Sequence, residues 1–288
     1  MMIVTASNTF GAIFLMIMRR SDALDKFMES CNSINQGRGV EEGQDSIART
    51  NSICTKMAIF NFFYIVAFAI SVQLGFTIED IDIDCSSLLI NHEFRWIQFS
   101  TVVHQTAASC IQFHIYIFCV KTTIFEVTQY NQDLEKIAEI RGRSQLFEKI
   151  TDAIERHSRL SKTIRLLDDL FKRFTFITVA LCIPSIIFAC YFAMTRIQRE
   201  APVRELVVVL PIIILYCFSF SVLMYFPARL HAQVQKSHAI LFRSIQKWLS
   251  YNRQIYTAAL ALSAHLEESD LGVTIWGFAL ISKPFILT

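Results

Sequence analysis

Charged residues make up only 18% of this 288-residue sequence, and none lies deep inside any of its long apolar runs. Ion-coupled pumps and transporters keep an intramembrane charge as the partner of the coupling ion. That class therefore lacks its usual signature here, although a facilitator of neutral substrates needs no such charge. Catalytic signatures are missing too. There is no HExxH motif, no glycine loop to cradle a phosphate, and no Cys/His set at metal-ligand spacing. No enzyme activity, metal or other cofactor is expected. Of the eight cysteines, most (Cys110, Cys119, Cys182, Cys190, Cys217) sit within apolar runs, where a free thiol behaves as a small hydrophobe. No Asn-x-Ser/Thr sequon marks an outer loop. Nucleic-acid binding has no support.

What is present is apolar length. The composition is 53% hydrophobic, with 25 Phe, and runs of ~20 apolar residues are the mark of bilayer-spanning helices. Six such runs fall at 2–18, 57–75, 96–120, 174–194, 205–226 and 272–288. The expected fold is an all-α polytopic membrane bundle forming one domain, its spans bent near Pro184 and carrying Pro211. The first run is not a signal peptide, because its positive charge, Arg19-Arg20, follows the apolar core instead of preceding it. The last run looks like a span that stops early.

Lys and Arg orient the bundle. The three long connectors, 19–56, 121–173 and 228–270, hold 22 of them, whereas the connectors 76–95 and 195–204 hold 4. The positive-inside rule assigns the long connectors to the cytoplasm. Connector 121–173 alone carries 11 and is rich in helix-favouring residues. Leu146, Ile150, Ile154, Leu160, Ile164, Leu167 and Phe171 recur at helical spacing. Only Gly142 interrupts the segment, so two helices meet near 141–144, and the second runs on into the span at 174. A second cytoplasmic helical segment, 227–270, carries the stripe Val234, Leu241, Ile245, Trp248 and Ile255. Amphipathic helices need partner faces, so these two segments are expected to pack together, completed by a helix over 272–288. In that helix Gly272 and Gly277 would permit close approach, and Trp276 and Phe278, like Trp248, would serve as assembly anchors.

One span is polar along a single face. Gln98, Thr101, Gln105, Ser109, Gln112 and Tyr116 recur at spacings of three and four, with His104 at the edge. Two readings remain open. The stripe serves interhelical hydrogen bonding, or its outer members Gln98, Thr101, His104 and Gln105 line a small-molecule pocket completed by Trp96, Phe99, Tyr191 and Phe192. His114, on the opposite face, is expected to pack. His157, His231 and His238 are expected on solvated faces or at subunit contacts of the cytoplasmic helices.

Six spans with both ends outside correspond to a seven-span protein with one span absent. The Asp-Arg-Tyr triplet and Cys-Trp-x-Pro of G-protein-coupled receptors are both missing. The histidine-bearing helix ERHSRLSKTIRLLDDLFKRF leading into a span, the long cytoplasmic extensions, and the terminal GVTIWGFALISKPFIL resemble the invertebrate gustatory and odorant receptor superfamily, in particular nematode-type gustatory receptors. The resemblance covers 121–288. It implies a chemosensory receptor in the plasma membrane: a ligand-gated cation channel subunit detecting a tastant or odorant in the outer half of the bundle. It further implies four subunits joined through the cytoplasmic helices, with the last span lining the pore. The family's closing Thr-Tyr and Gln-Phe pairs are absent, as is a first span, so a fragment of a longer parent is expected. The alternatives are a G-protein-coupled serpentine chemoreceptor, a small-molecule facilitator, or a membrane scaffold.

Overall fold

The computed structural model describes residues 13–14, 16–18, 20–35, 52, 55–56, 59, 63, 65–66, 70, 95–140, 142–198, 203–248, 253–266 and 271–282. Five helices and a hairpin follow in order: α1 (Ala23–Asn35), α2 (Arg95–Ile137), α3 (Arg143–Gln198), α4 (Val203–Trp248), α5 (Arg253–Leu266), β1 (Thr274–Ile275) and β2 (Ala279–Leu280). The isolated described positions between 13 and 20 and between 52 and 70 are also helical. The chain is an all-α polytopic membrane protein with one short hairpin.

The expected break near 141–144 is present. The end of α2 tightens into three-residue bonds, with Glu139 N–H donating to Lys136 O and Ile140 N–H to Ile137 O. Gly142 O then accepts from Leu146 N–H as α3 begins. No breaker follows, and α3 runs 56 residues through Pro184. At 1.5 Å per residue its contour is roughly 84 Å, nearly three times the ~30 Å of hydrocarbon. More than half of it therefore has to lie outside the bilayer. The expected spans 96–120, 174–194 and 205–226 fall in α2, α3 and α4. Among the described residues, Cys110–Ile137 and Arg143–Thr195 are long and apolar enough to cross a membrane, and the most apolar stretch of the second is only 11% buried.

The chain divides into two compact units, residues 1–20, 49–116 and 177–222, and residues 21–48, 117–176 and 223–288. Helices α2, α3 and α4 contribute to both. In the first unit many described apolar side chains point outward: Ile183, Ile187, Phe188, Met194, Ile214 and Phe218 are all exposed, while Phe14, Met18, Tyr116 and Cys182 are buried. This is the surface of a helix solvated by lipid, where apolar exposure has no cost.

The second unit has an inward core. Buried side chains recur every three or four residues on each helix: Phe27, Cys31 and Ile34 on α1; Val127, Tyr130 and Leu134 on α2; Leu146, Ile150, Leu160, Ile164, Leu167 and Phe171 on α3; Leu230, Val234 and Leu241 on α4; Ile255, Ala259, Leu262 and Leu266 on α5. Each fully buried Leu or Ile contributes about 1.5–3 kcal/mol. The predicted stripe of α3 is thus the core face, with Ile154 half-buried at its edge.

The segment 227–270 is helical over 227–248, where it continues α4 through Pro227, and over 253–266 as α5, with 249–252 outside the described residues. One expectation is corrected. The terminal segment is not helical over 274–280: these residues form an antiparallel hairpin, pairing Thr274 with Leu280 and Ile275 with Ala279. Local chemistry explains this. Val273, Thr274 and Ile275 are β-branched, and two glycines would each weaken a helix by about 1 kcal/mol. Trp276 (φ 54°) and Gly277 (φ 78°) both take the left-handed conformation that hairpin turns require. Phe278 N–H closes the turn onto Ile275 O. Residues 283–288 lie outside the described residues.

Candidate functional site

The expected ligand-facing residues divide unevenly. Gln98, Thr101 and Gln105 lie on α2, but their side chains fall outside the described residues, as does that of Trp96. His104 on α2 and Tyr191 on α3 are described and exposed, Tyr191 at 67%. The inner end of the polar stripe is buried, with Gln112 and Tyr116 almost fully covered and the rings of Phe113 and Tyr116 6.3 Å apart. Gln112 Nε2 has no hydrogen-bond partner among the described residues. The inner half of the stripe thus faces protein. His114 closes locally, its Nδ1 2.8 Å from Cys110 O.

The best-defined polar constellation lies in the second unit, where side chains pin helix to helix. Asn131 Nδ2 donates to Gln233 O (2.9 Å), and Ser237 Oγ donates to Asn131 Oδ1 (2.5 Å), joining α2 to α4. Asn131 stands in register with the buried Val127 and Leu134, and Ser237 with Val234 and Leu241. A buried polar pair in such a seam fixes register, as polar core positions do in coiled coils. Tyr130 hydroxyl donates to Ala153 O (3.3 Å), and Asp133 meets Arg156 at 2.8 Å, joining α2 to α3. The Ser30 and Thr163 hydroxyls lie 2.7 Å apart, and Arg159 donates to Ser33 O, joining α1 to α3. Burial pushes the Tyr130 phenol upward, the Arg156 guanidinium opposing it only in part.

His157 corrects an expectation. It is buried rather than solvated, its ring 5.8 Å from Tyr130 and 6.4 Å from His265 of α5. His231 Nδ1 lies 3.4 Å from Leu271 O, at the entry to the hairpin. Among the described residues, no group of His, Cys, Asp and Glu is arranged to hold a metal ion.

The hairpin is clamped to α3. Asp168 Oδ1 accepts from Thr274 N–H (2.6 Å) and from Thr274 hydroxyl (2.8 Å), while Thr274 Oγ1 accepts from Gly277 N–H (2.9 Å). Trp276 N–H donates to Lys172 O (3.2 Å), and its ring meets Phe176 edge-on at 4.8 Å. These bonds hold a tryptophan in a left-handed conformation that costs a side-chain-bearing residue roughly 1–2 kcal/mol. Gly272 does permit close approach: a Cβ there would lie 2.7 Å from Leu280 Cδ1. Of the three expected anchors, Trp276 and Phe278 are 45% and 84% exposed, and the side chain of Trp248 lies outside the described residues.

Long helices that are apolar in one stretch and polar-pinned in the next agree with what sequence comparison finds. The profile of the 7tm Chemosensory receptor family matches residues 4–267. The chain belongs to that family. No curated protein matches it. In this chemosensory receptor the match takes in α1 to α5 and stops short of the hairpin. Sequence reasoning missed Asn131 and Ser237, although a polar residue in phase with an apolar stripe was a readable signal. It also missed Asp168, whose partner lies 106 positions away and which nothing local marks.

Proposed function

We propose that this chemosensory receptor is a gustatory-type, ligand-gated cation channel subunit of the plasma membrane. It detects a small tastant or odorant through the outer polar face of α2 and assembles with other subunits, four by the family resemblance. The observation that carries the reading is the continuity of α2, α3 and α4. Each passes from an apolar stretch into a body fixed by Asn131–Ser237, Tyr130–Ala153 and Asp133–Arg156. A span that responds to ligand is thereby joined to that body by helix, with no intervening loop. Gln98, Thr101, His104 and Gln105 are assigned to orienting the ligand and Tyr191 to covering it. Trp248, Trp276 and Phe278 are assigned to assembly or anchoring. The chain acts as a receptor rather than an enzyme.

Recording from excised membrane patches tests this. A panel of sugars, bitter compounds and volatiles is applied to the receptor in the absence of guanine nucleotides. A cation current evoked under those conditions, altered by Gln105→Leu at unchanged surface expression, supports the channel. A response seen only in intact cells and abolished by blocking G proteins would transfer the chain to the coupled-receptor class.

A further inference from the structure

The receptor reading assigns Trp276 and Phe278 to assembly or anchoring, and the geometry of the hairpin tip bears on what they anchor to. Phe278 is 84% exposed and Trp276 45%, and both belong to a turn held in a fixed, left-handed backbone conformation. The turn is not loose: Asp168, Lys172 O and the Phe176 ring fasten it to one short stretch of α3. A strained, clamped turn that aims two large aromatic side chains away from its own core calls for a partner on that side.

The point of attachment identifies the partner. Lys172 and Arg173 are the last charged residues of α3 before the apolar run 174–194, and Phe176 is exposed at the start of that run. Trp276 is bonded to the backbone of Lys172 and meets Phe176 edge-on, so the tip sits where α3 changes from basic to apolar. A spanning helix changes character in this way at the membrane–water boundary. Lys121, over the Phe226 ring at 4.9 Å, marks the same transition on α2 and α4. Tryptophan is favoured at this boundary because its ring is apolar while its N–H remains near water. Basic residues at the same level complement anionic headgroups.

We infer that residues 274–280 form a membrane-interface anchor, with Trp276 and Phe278 inserted between the headgroups and acyl chains of the bilayer the receptor spans. The segment lies beyond the residues 4–267 that the family profile matches. Its occupant is lipid, continuous with the lipid that covers the exposed face of α3. The clamp presents the tip in a fixed orientation, and insertion then resists any movement of α3 along its axis.

The tip's surroundings can be read from tryptophan fluorescence. The full chain and its Trp276→Phe variant are reconstituted in vesicles containing phosphatidylcholine brominated near the headgroup end of the acyl chains. The difference between their spectra isolates Trp276 from the other two tryptophans. The expected result is that the difference signal is blue-shifted, loses most of its intensity in brominated lipid, and is unaffected by aqueous acrylamide. Phe278→Trp adds a reporter at the most exposed position and should behave alike, so the reading survives if one variant fails to fold. A difference signal quenched by acrylamide and not by bromine places the tip in water and overturns the anchor. A signal shielded from both, with crosslinking between chains, shows instead a second copy covering the tip and overturns it equally.

Discussion

The same helix, α3, passes through two environments, and the contrast between them defines the molecule. Over 143–173 it is amphipathic, with Leu146, Ile150, Ile164, Leu167 and Phe171 buried and Glu148, Lys149, Lys162 and Arg165 exposed. Over 177–197 the described pattern reverses, and Ile183, Ile187, Phe188, Met194 and Ile197 are exposed. In the first stretch water is the solvent and apolar groups turn away from it. In the second, lipid tails are as apolar as leucine, and outward apolar groups lose nothing. Among the described residues, the largest fully buried side chains all belong to the second unit except Tyr116. Stability built inside the protein is thus concentrated in the polar-solvated body, whereas the apolar unit relies on the bilayer for cover.

Paired substitutions on α3 would break this contrast if it is wrong. Leu167→Ala empties a fully buried site and should cost about 2–5 kcal/mol. Ile187→Ala, at an exposed apolar site, should cost a small fraction of that. Thermal unfolding in lipid nanodiscs measures both, and equal losses would show that α3 is buried alike along its length.

How much of this was legible follows from how local each determinant is. The break at Gly142, the unbroken run into the span, and the core face of α3 could all be read from spacing over a few turns. The hairpin could not. A run of seventeen mostly apolar residues reads as a short span, and what opposes that reading is partly distant: the carboxylate of Asp168 holding Thr274 across 106 positions. His157 was misplaced for a related reason, because periodicity does not show that Tyr130 and α5 close over it. The outer polar stripe remains where sequence left it, since Gln98, Thr101 and Gln105 lie outside the described side chains, while buried Gln112 and Tyr116 show which way its inner end turns.

The next effect in size concerns the pins of the second unit. Asn131→Ala removes the acceptor of Ser237 and the donor to Gln233 O inside a buried seam. Leaving a buried polar group unmade costs about 1–3 kcal/mol. Ser237→Ala should cost less alone, and the double variant should lose less than the sum, a coupling that a double-mutant cycle reads directly. Strict additivity would mean that the two side chains do not act as a unit.

A smaller effect, confined to one end of the chain, is expected from Asp168→Asn. The carboxylate takes two bonds from Thr274, and a hydrogen bond to a charged group is worth about 1.5–3 kcal/mol against about 0.5–1.5 for a neutral one. The amide keeps an acceptor but loses the charge, so the hairpin should loosen while the core of the second unit stays intact. Limited proteolysis in detergent micelles should then cut within 271–282 before it cuts α3. A hairpin as resistant as before would show that Trp276 and Phe176 hold it without the clamp.

The smallest effect reports how closed the α1 side of that core is. The thiol of Cys31 is buried and pushed up to about 12 from an ordinary 9.0, first by burial and second by the Glu126 carboxylate. Alkylation needs the thiolate, so native Cys31 should be nearly inert at pH 8 and become reactive when the chain unfolds. The sign for stability follows. The folded state holds this proton more tightly than the unfolded state, so its contribution is complete below about 9 and is lost as pH rises from 9 towards 12. Mass spectrometry of alkylated peptides across that range measures the onset. Glu126→Gln removes only the lesser cause, so the reactivity of Cys31 should rise slightly. A large rise would mean that charge rather than burial governs the site, and that the α1 side of the core admits water as the apolar unit admits lipid.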